Sequence, residues 1–175
     1  VVIAGAGTLG LGMITYARMK NPAKLIVLDM QDNRLEKAKE FGADIVMNPS
    51  KENVVERVKE MTDGYGCDIY IEATGHPSSV QQGLNMVRKL GRFVEFGVFA
   101  KETSIDWSII GDSKELDVLG SHLSPYCYPF VIEHIHNGVL KTEGVISRCF
   151  GIDEWEKAFD YATGKYGDFK VAITF

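Results

Sequence analysis

Three glycines spaced as Gly5, Gly7 and Gly10, directly after Val1-Val2-Ile3-Ala4, and an acid, Asp29, closing the apolar run Leu25-Ile26-Val27-Leu28, are the residues of this chain best suited to holding a ligand. Their order is strand, glycine turn, helix, strand, acid, and each residue type has a physical task. Gly5 permits a tight turn, Gly7 has no side chain to hold a pyrophosphate off the backbone, and Gly10 lets the next helix approach the strand closely. A helix opening near Leu9 aims unpaired N–H groups and the positive end of its dipole at phosphates. Asp29, about 19 residues beyond Gly10, sits where an acid accepts hydrogen bonds from adenosine ribose hydroxyls. A carboxylate there repels a 2′-phosphate, so the pattern favours NAD over NADP. Glycine-rich turns also occur without any ligand, and a purely structural βαβ turn is the alternative. The surrounding strand and helix, with Leu11, Ile14, Ala17 and Met19 at apolar positions, favour the dinucleotide site.

The elements that would position these residues follow from the patterning. Apolar runs alternate with amphipathic segments, which implies parallel strands joined by crossover helices. Helical spacing of Leu35, Ala38 and Phe41 predicts a helix over 32–41 ending at Gly42. Strands are expected at 45–47, 67–72, 92–96 and 116–121, and helices at 52–61 and 77–89. With the first two strands this makes six, a complete doubly wound Rossmann sheet of the α/β class. The remainder, with helices over 129–136 and 153–163 and a strand over 170–175, has no strand to pair with in that order. It is expected to form a C-terminal helical and strand extension. The division is a dinucleotide-binding domain over 1–123 and an extension over 124–175.

Composition narrows the function classes. A hydrophobic share of 45%, a charged share of 25% and a net charge of -5 describe a globular chain. That balance argues against nucleic acid, whose phosphates require clustered Lys and Arg. No apolar stretch approaches the roughly 20 residues that span a bilayer, so no membrane association is expected and the chain reads as cytoplasmic. Cys67, Cys127 and Cys149 are odd in number and far apart, which suits free thiols rather than disulfides or paired zinc ligands. The chain opens without Met, inside a strand, and reads as a piece of a larger protein.

Several patterns beyond the glycine turn together resemble the medium-chain, zinc-containing alcohol and polyol dehydrogenases. They are Gly5-Ala6-Gly7-Thr8-Leu9-Gly10-Leu11-Gly12, Glu40-Phe41-Gly42-Ala43-Asp44, Asp68 with Glu72-Ala73-Thr74-Gly75, Gly91-Arg92-Phe93 with Gly97-Val98, and Phe169-Lys170-Val171. The tail is most similar to the sorbitol, erythritol and threitol branch, through Gly120-Ser121-His122 and Ser124-Pro125-Tyr126-Cys127-Tyr128-Pro129. The resemblance implies that Gly5, Gly7, Thr8, Leu9 and Gly10 surround the pyrophosphate and that Asp29 and Arg34 hold the adenosine ribose. It places Ala73, Thr74 and His76 along the adenine side. Backbone groups around Phe96, Gly97 and Val98, with Ser121 and Leu123, would hold the nicotinamide carboxamide, and Lys170 would stand near the pyrophosphate.

In that family the catalytic zinc and its proton relay belong to an amino-terminal domain absent here. No catalytic or metal residue is therefore assigned, and the chain alone is expected to bind cofactor without turning over. A dinucleotide-sensing regulatory module and a zinc-free NADPH quinone reductase relative are the alternatives; Asp29, with no basic residue at Met30 or Gln31, disfavours the latter. The substrate of the parent would be a small alcohol or polyol, and homo-oligomers are expected through the sheet edge near Leu116 to Gly120. His134 and His136, two apart on a helix, point away from each other and suit no shared metal. Glu72 is expected to be a hydrogen-bonded structural acid, and Trp107, Trp155, Tyr126 and Tyr128 to be packing residues, with Tyr126 to Pro129 also able to face a substrate cleft in the parent.

Overall fold

The computed structural model describes residues 1–123 and 126–175. Ser124 and Pro125, part of the tail motif, lie outside the described residues. Strands β1 (Val2–Ala4), β2 (Ile26–Leu28), β3 (Ile45–Met47), β4 (Cys67–Glu72), β5 (Val87–Glu95) and β6 (Asp117–Gly120) form one parallel sheet in the order β3-β2-β1-β4-β5-β6. Helices α1 (Thr8–Met19), α2 (Asp32–Glu40), α3 (Val54–Glu60) and α4 (Pro77–Met86) make the crossovers. This is the expected doubly wound sheet.

Alternation along each strand explains the two layers. Val2, Ala4, Ile26 and Leu28 face α3 and α4 in one core cluster, while Ile3 and Val27 face α1 and α2 in the other. Both faces of the central strands are thereby buried, as short all-apolar strands require. Tyr70 is the largest fully buried side chain; its ring stacks on Phe93 at 5.4 Å, and its hydroxyl donates to the Ser79 carbonyl at 2.9 Å.

Two boundaries differ from expectation. Helix α4 stops at Met86 rather than Lys89, and β5 begins at Val87, paired with Cys67. The Lys114 ammonium donates to the carbonyls of Leu84, Asn85 and Val87, satisfying groups that a further helical turn would have used. Leu90 then adopts a left-handed φ of 55°, which breaks the helical path outright.

Beyond the sheet come α5 (Tyr128–His136), β7 (Arg148–Gly151), α6 (Trp155–Ala162) and β8 (Val171–Thr174). The terminal strand does have a partner: β7 and β8 pair in parallel as a separate two-stranded sheet. The tail packs on α1 and α2. Lys141 donates its backbone N–H to the Thr15 hydroxyl at 3.1 Å, Asn33 donates to the Gly167 carbonyl at 3.1 Å, and Thr8 donates to the Phe169 carbonyl at 2.7 Å. Trp107, Trp155, Tyr126 and Tyr128, expected to pack, are all largely exposed among the described residues, and Trp155 meets Phe159 edge-on at 6.2 Å.

Candidate functional site

Connections from β1 and β4 leave toward opposite faces of the sheet, so a crevice opens at the carboxyl ends of these two adjacent strands. A cavity of about 430 Å³ occupies it, bordered by Gly5, Gly7, Asp29, Arg34, Ala73, Thr74 and His76 among others. Gly5 has a φ of 101°, which disfavours any side chain. A Cβ on Gly10 would stand 2.0 Å from the Gly5 carbonyl oxygen, so α1 can start this close to β1 only with glycine there. A Cβ on Gly7 would meet nothing nearer than the Arg34 guanidinium at 3.8 Å, on the cavity side. Helix α1 has no side-chain cap and no acid in its first turn, which leaves its first N–H groups free for an anion.

Asp29 does more than border the cavity. Its Oδ2 accepts the backbone N–H of Ala6 at 2.8 Å and its Oδ1 that of Gln31 at 2.9 Å, and its side chain is only 8% exposed. The carboxylate thus ties the glycine turn to the loop after β2. Each oxygen retains a lone pair for a further donor. Arg34 approaches to 3.9 Å from Oδ2, and its Nε is buried without a protein partner. His76 caps α4, accepting the Ser78 N–H at 3.3 Å.

A second cavity of about 700 Å³ lies along the ends of β5 and β6 and is bordered by Leu9, Phe96, Gly97, Val98, Ser121 and Leu123, with His122, Cys127, Tyr128 and Val131 closing it. The expected residues therefore sort into two neighbouring spaces. Three line neither: Gly10 is packed beneath the turn, Thr8 spends its hydroxyl on Phe169, and Lys170 is exposed one residue further on. Pro49, Ser50, Ser78 and Gln82, which also border the first cavity, escaped the sequence reading. The loop after β3 carries Pro49 and Ser50 and the first turns of α4 carry Ser78 and Gln82, and the strand order brings both segments to the same end of the sheet.

Among the described residues no three His, Cys, Asp or Glu side chains gather where they could hold an ion. His134 instead stacks on Phe130, ring centroids 3.8 Å apart. Burial pushes the Cys67 thiol up to about 12, which keeps it protonated at neutral pH. No helix among the described residues is long and apolar enough to cross a membrane.

Known proteins match this architecture throughout. The erythritol/L-threitol dehydrogenase of Mycolicibacterium smegmatis is 46% identical over 173 residues, covering 99% of this chain and 48% of that protein. A solved alcohol dehydrogenase of Escherichia coli CFT073, complexed with NADH, superposes with a TM-score of 0.90 at 30% identity over 99% of this chain and 51% of its own. A zinc-binding dehydrogenase of Sinorhizobium meliloti bound to NADP gives 0.89 at 28% identity, over 99% of this chain and 52% of its own. The chain thus spans about half the length of the relatives it matches. The family model described as zinc-binding dehydrogenase matches residues 8–137, most of the sequence, and the chain belongs to that family.

Proposed function

We propose that this chain is the NAD-binding portion of a zinc-dependent dehydrogenase that oxidises a small alcohol or polyol by hydride transfer. The observation that carries the reading is the pairing of an uncapped helix start behind Gly7 with a carboxylate, Asp29, bordering the same cavity. The N–H groups of α1 hold the pyrophosphate and Asp29 takes the adenosine ribose hydroxyls, with Arg34 beside it. Ala73, Thr74 and His76 flank the adenine end. Backbone groups of Phe96, Gly97, Val98, Ser121 and Leu123 hold the nicotinamide end in the second cavity, and Lys170 stands near the pyrophosphate. Bound NAD would supply the hydride acceptor. The chain's own residues orient that ring so that one face meets the substrate.

The polyol assignment draws on the erythritol/L-threitol dehydrogenase likeness, and zinc is assigned to the remainder of the parent. The Rossmann portion is taken as residues 1–123 and the extension as 124–175, which together with the missing half would enclose the substrate. Three free cysteines suit a cytoplasmic setting, where thiols stay reduced. The outer edge of β6 is exposed along Asp117–Gly120, and dimers are expected to form through it; a monomer in sedimentation at tens of micromolar would count against that pairing.

Titration calorimetry with NADH and, separately, NADPH tests the central reading. Micromolar NADH binding with at least tenfold weaker NADPH binding supports it. Equal binding refutes the ribose role of Asp29, and absence of both refutes the site.

A further inference from the structure

We infer that Glu72 is a positioning residue that holds the two cavities in register, so that one ligand can occupy both. The inference rests on the cofactor reading above and goes beyond it, because Glu72 lines neither space. It sits at the carboxyl end of β4 with no solvent exposure, opposite Ala4 of β1 and Glu95 of β5. Its Oε1 accepts the backbone N–H of Thr74 at 2.9 Å and the Thr74 hydroxyl, and its Oε2 accepts the N–H of Gly75 at 3.1 Å. Its carbonyl accepts the N–H groups of Phe96 and Gly97, both at 3.0 Å. One residue therefore grips the loop after β4 with its side chain and the loop after β5 with its backbone.

The contact continues in both directions. Toward the first cavity, a Cβ on Gly5 would lie 2.9 Å from the Ala73 carbonyl oxygen and 3.2 Å from Thr74 Cγ2, so the glycine turn rests on the segment that Glu72 holds. Toward the second, a Cβ on Gly97 would lie 2.1 Å from Glu72 Oε2, and one on Gly75 would lie 2.3 Å from the Val98 carbonyl oxygen. Gly97 and Val98 border the second cavity, and Thr74 the first. A displacement of the 73–75 turn thus has no slack to absorb it before it reaches residues 97–98.

Chemistry explains why a carboxylate is needed. An ionised carboxylate only accepts, and both of its oxygens are used here by donors from the turn. Glutamine offers one oxygen and one NH₂. Whichever way it is placed, the NH₂ faces a backbone N–H, and the turn must shift to relieve the opposed donors. A buried charge is a poor device for stability alone, since apolar replacements are often as stable. Its use here fits the fixing of one loop geometry.

The test compares ADP-ribose, which occupies the first cavity and the pyrophosphate turn, with NADH, which extends into the second. Both are titrated into wild-type chain and E72Q, with circular dichroism as a check on the fold. The expected result is an NADH affinity lowered about tenfold or more beyond any loss of ADP-ribose affinity, because only NADH needs both cavities aligned, the scale of one misaligned buried hydrogen bond. Equal loss for both ligands, or loss for neither, overturns the inference. Should E72Q fail to fold, E72D keeps the charge but withdraws the carboxylate from the Thr74 and Gly75 N–H groups; it must lower the NADH to ADP-ribose affinity ratio, and an unchanged ratio overturns the inference. A wild-type chain that binds NADH no more tightly than ADP-ribose overturns it too, whereas one that binds neither refutes the cofactor reading itself.

Discussion

Replacing Asp29 with Asn should destabilise the protein before any ligand is added. The carboxylate accepts the N–H of Ala6, which is fully buried, and the N–H of Gln31. Asparagine can accept only one of them. Its oxygen will turn to Ala6, because water can reach Gln31 in part but cannot reach Ala6. The surviving bond then changes from charge-assisted to neutral, a loss of about 1 kcal/mol, and the Gln31 bond is lost at about 1–2 kcal/mol. The sum, roughly 2–3 kcal/mol, lowers Tm by about 4–12 °C for a chain of this size. Thermal unfolding of ligand-free wild type and D29N by circular dichroism, at equal concentration, measures it. A shift under about 2 °C would mean that the glycine turn does not lean on this carboxylate, and the acid would then act on ligand alone. Arg34→Met is the control: its guanidinium stands 3.9 Å from Asp29 without a direct hydrogen bond, so it should move Tm by less than about 2 °C.

Lys114→Met should lower stability by about 1.5–3 kcal/mol, because three carbonyls at the end of α4 lose their ammonium donor; urea unfolding measures it, and an unchanged midpoint would show that water replaces the lysine without loss. Tyr70→Phe removes the hydroxyl that donates to the Ser79 carbonyl and should lose about 1 kcal/mol in the same assay, with the apolar packing against Phe93 retained. Alkali should weaken the fold through Cys67. Its thiol is raised from 9 to about 12 in the folded state by burial, so the stability it contributes is complete below pH 9 and lost as pH rises toward 12. The unfolded state releases its proton first, and at pH 10 the loss is about 1.4 kcal/mol. Urea unfolding at pH 8 and pH 10 should therefore show a smaller pH-dependent fall in C67A than in wild type, and equal falls would contradict the burial argument.

Much of the sheet was legible because its strands are short, apolar and bounded by strong punctuation. Ile45–Met47 and Cys67–Glu72 fall where the sequence places them, between Gly42 and Pro49 and after the Asp63-Gly64-Tyr65-Gly66 turn. The end of α4 was not legible, since Val87-Arg88-Lys89-Leu90 carries no breaker and the deciding group, Lys114, is distant in sequence. Strand β7 was missed for a related reason: Arg148-Cys149-Phe150-Gly151 shows little alternation, and pairing with β8 is what makes it a strand. At the site, the residue types and spacing brought out the glycines, Asp29 and the hydrogen-bonded character of Glu72. The inward bond from Ala6 to Asp29 had no sequence signal, because it depends on how closely β1 and β2 end beside each other. The aromatic residues expected to pack lie exposed, since hydrophobicity tells that a side chain seeks cover but not which surface provides it.

The position of β1 in the strand order bears on how the chain acquires its structure. Pairing with β2 covers one edge of β1, and only β4 covers the other. Until Cys67–Glu72 has been added, a half-sheet of β1, β2 and β3 presents Val2, Ile3 and Ala4 along an open, wholly apolar edge, and closing it requires a long loop with its entropic barrier. The docking of β4 is thus expected to be the slow step of folding, and the interval before it is when two chains can join edge to edge. Mutations that weaken β4, such as at Ile71, should slow folding and raise aggregation during refolding more than equally destabilising changes in the β7–β8 pair, which belongs to a separate sheet and leaves that edge uncovered.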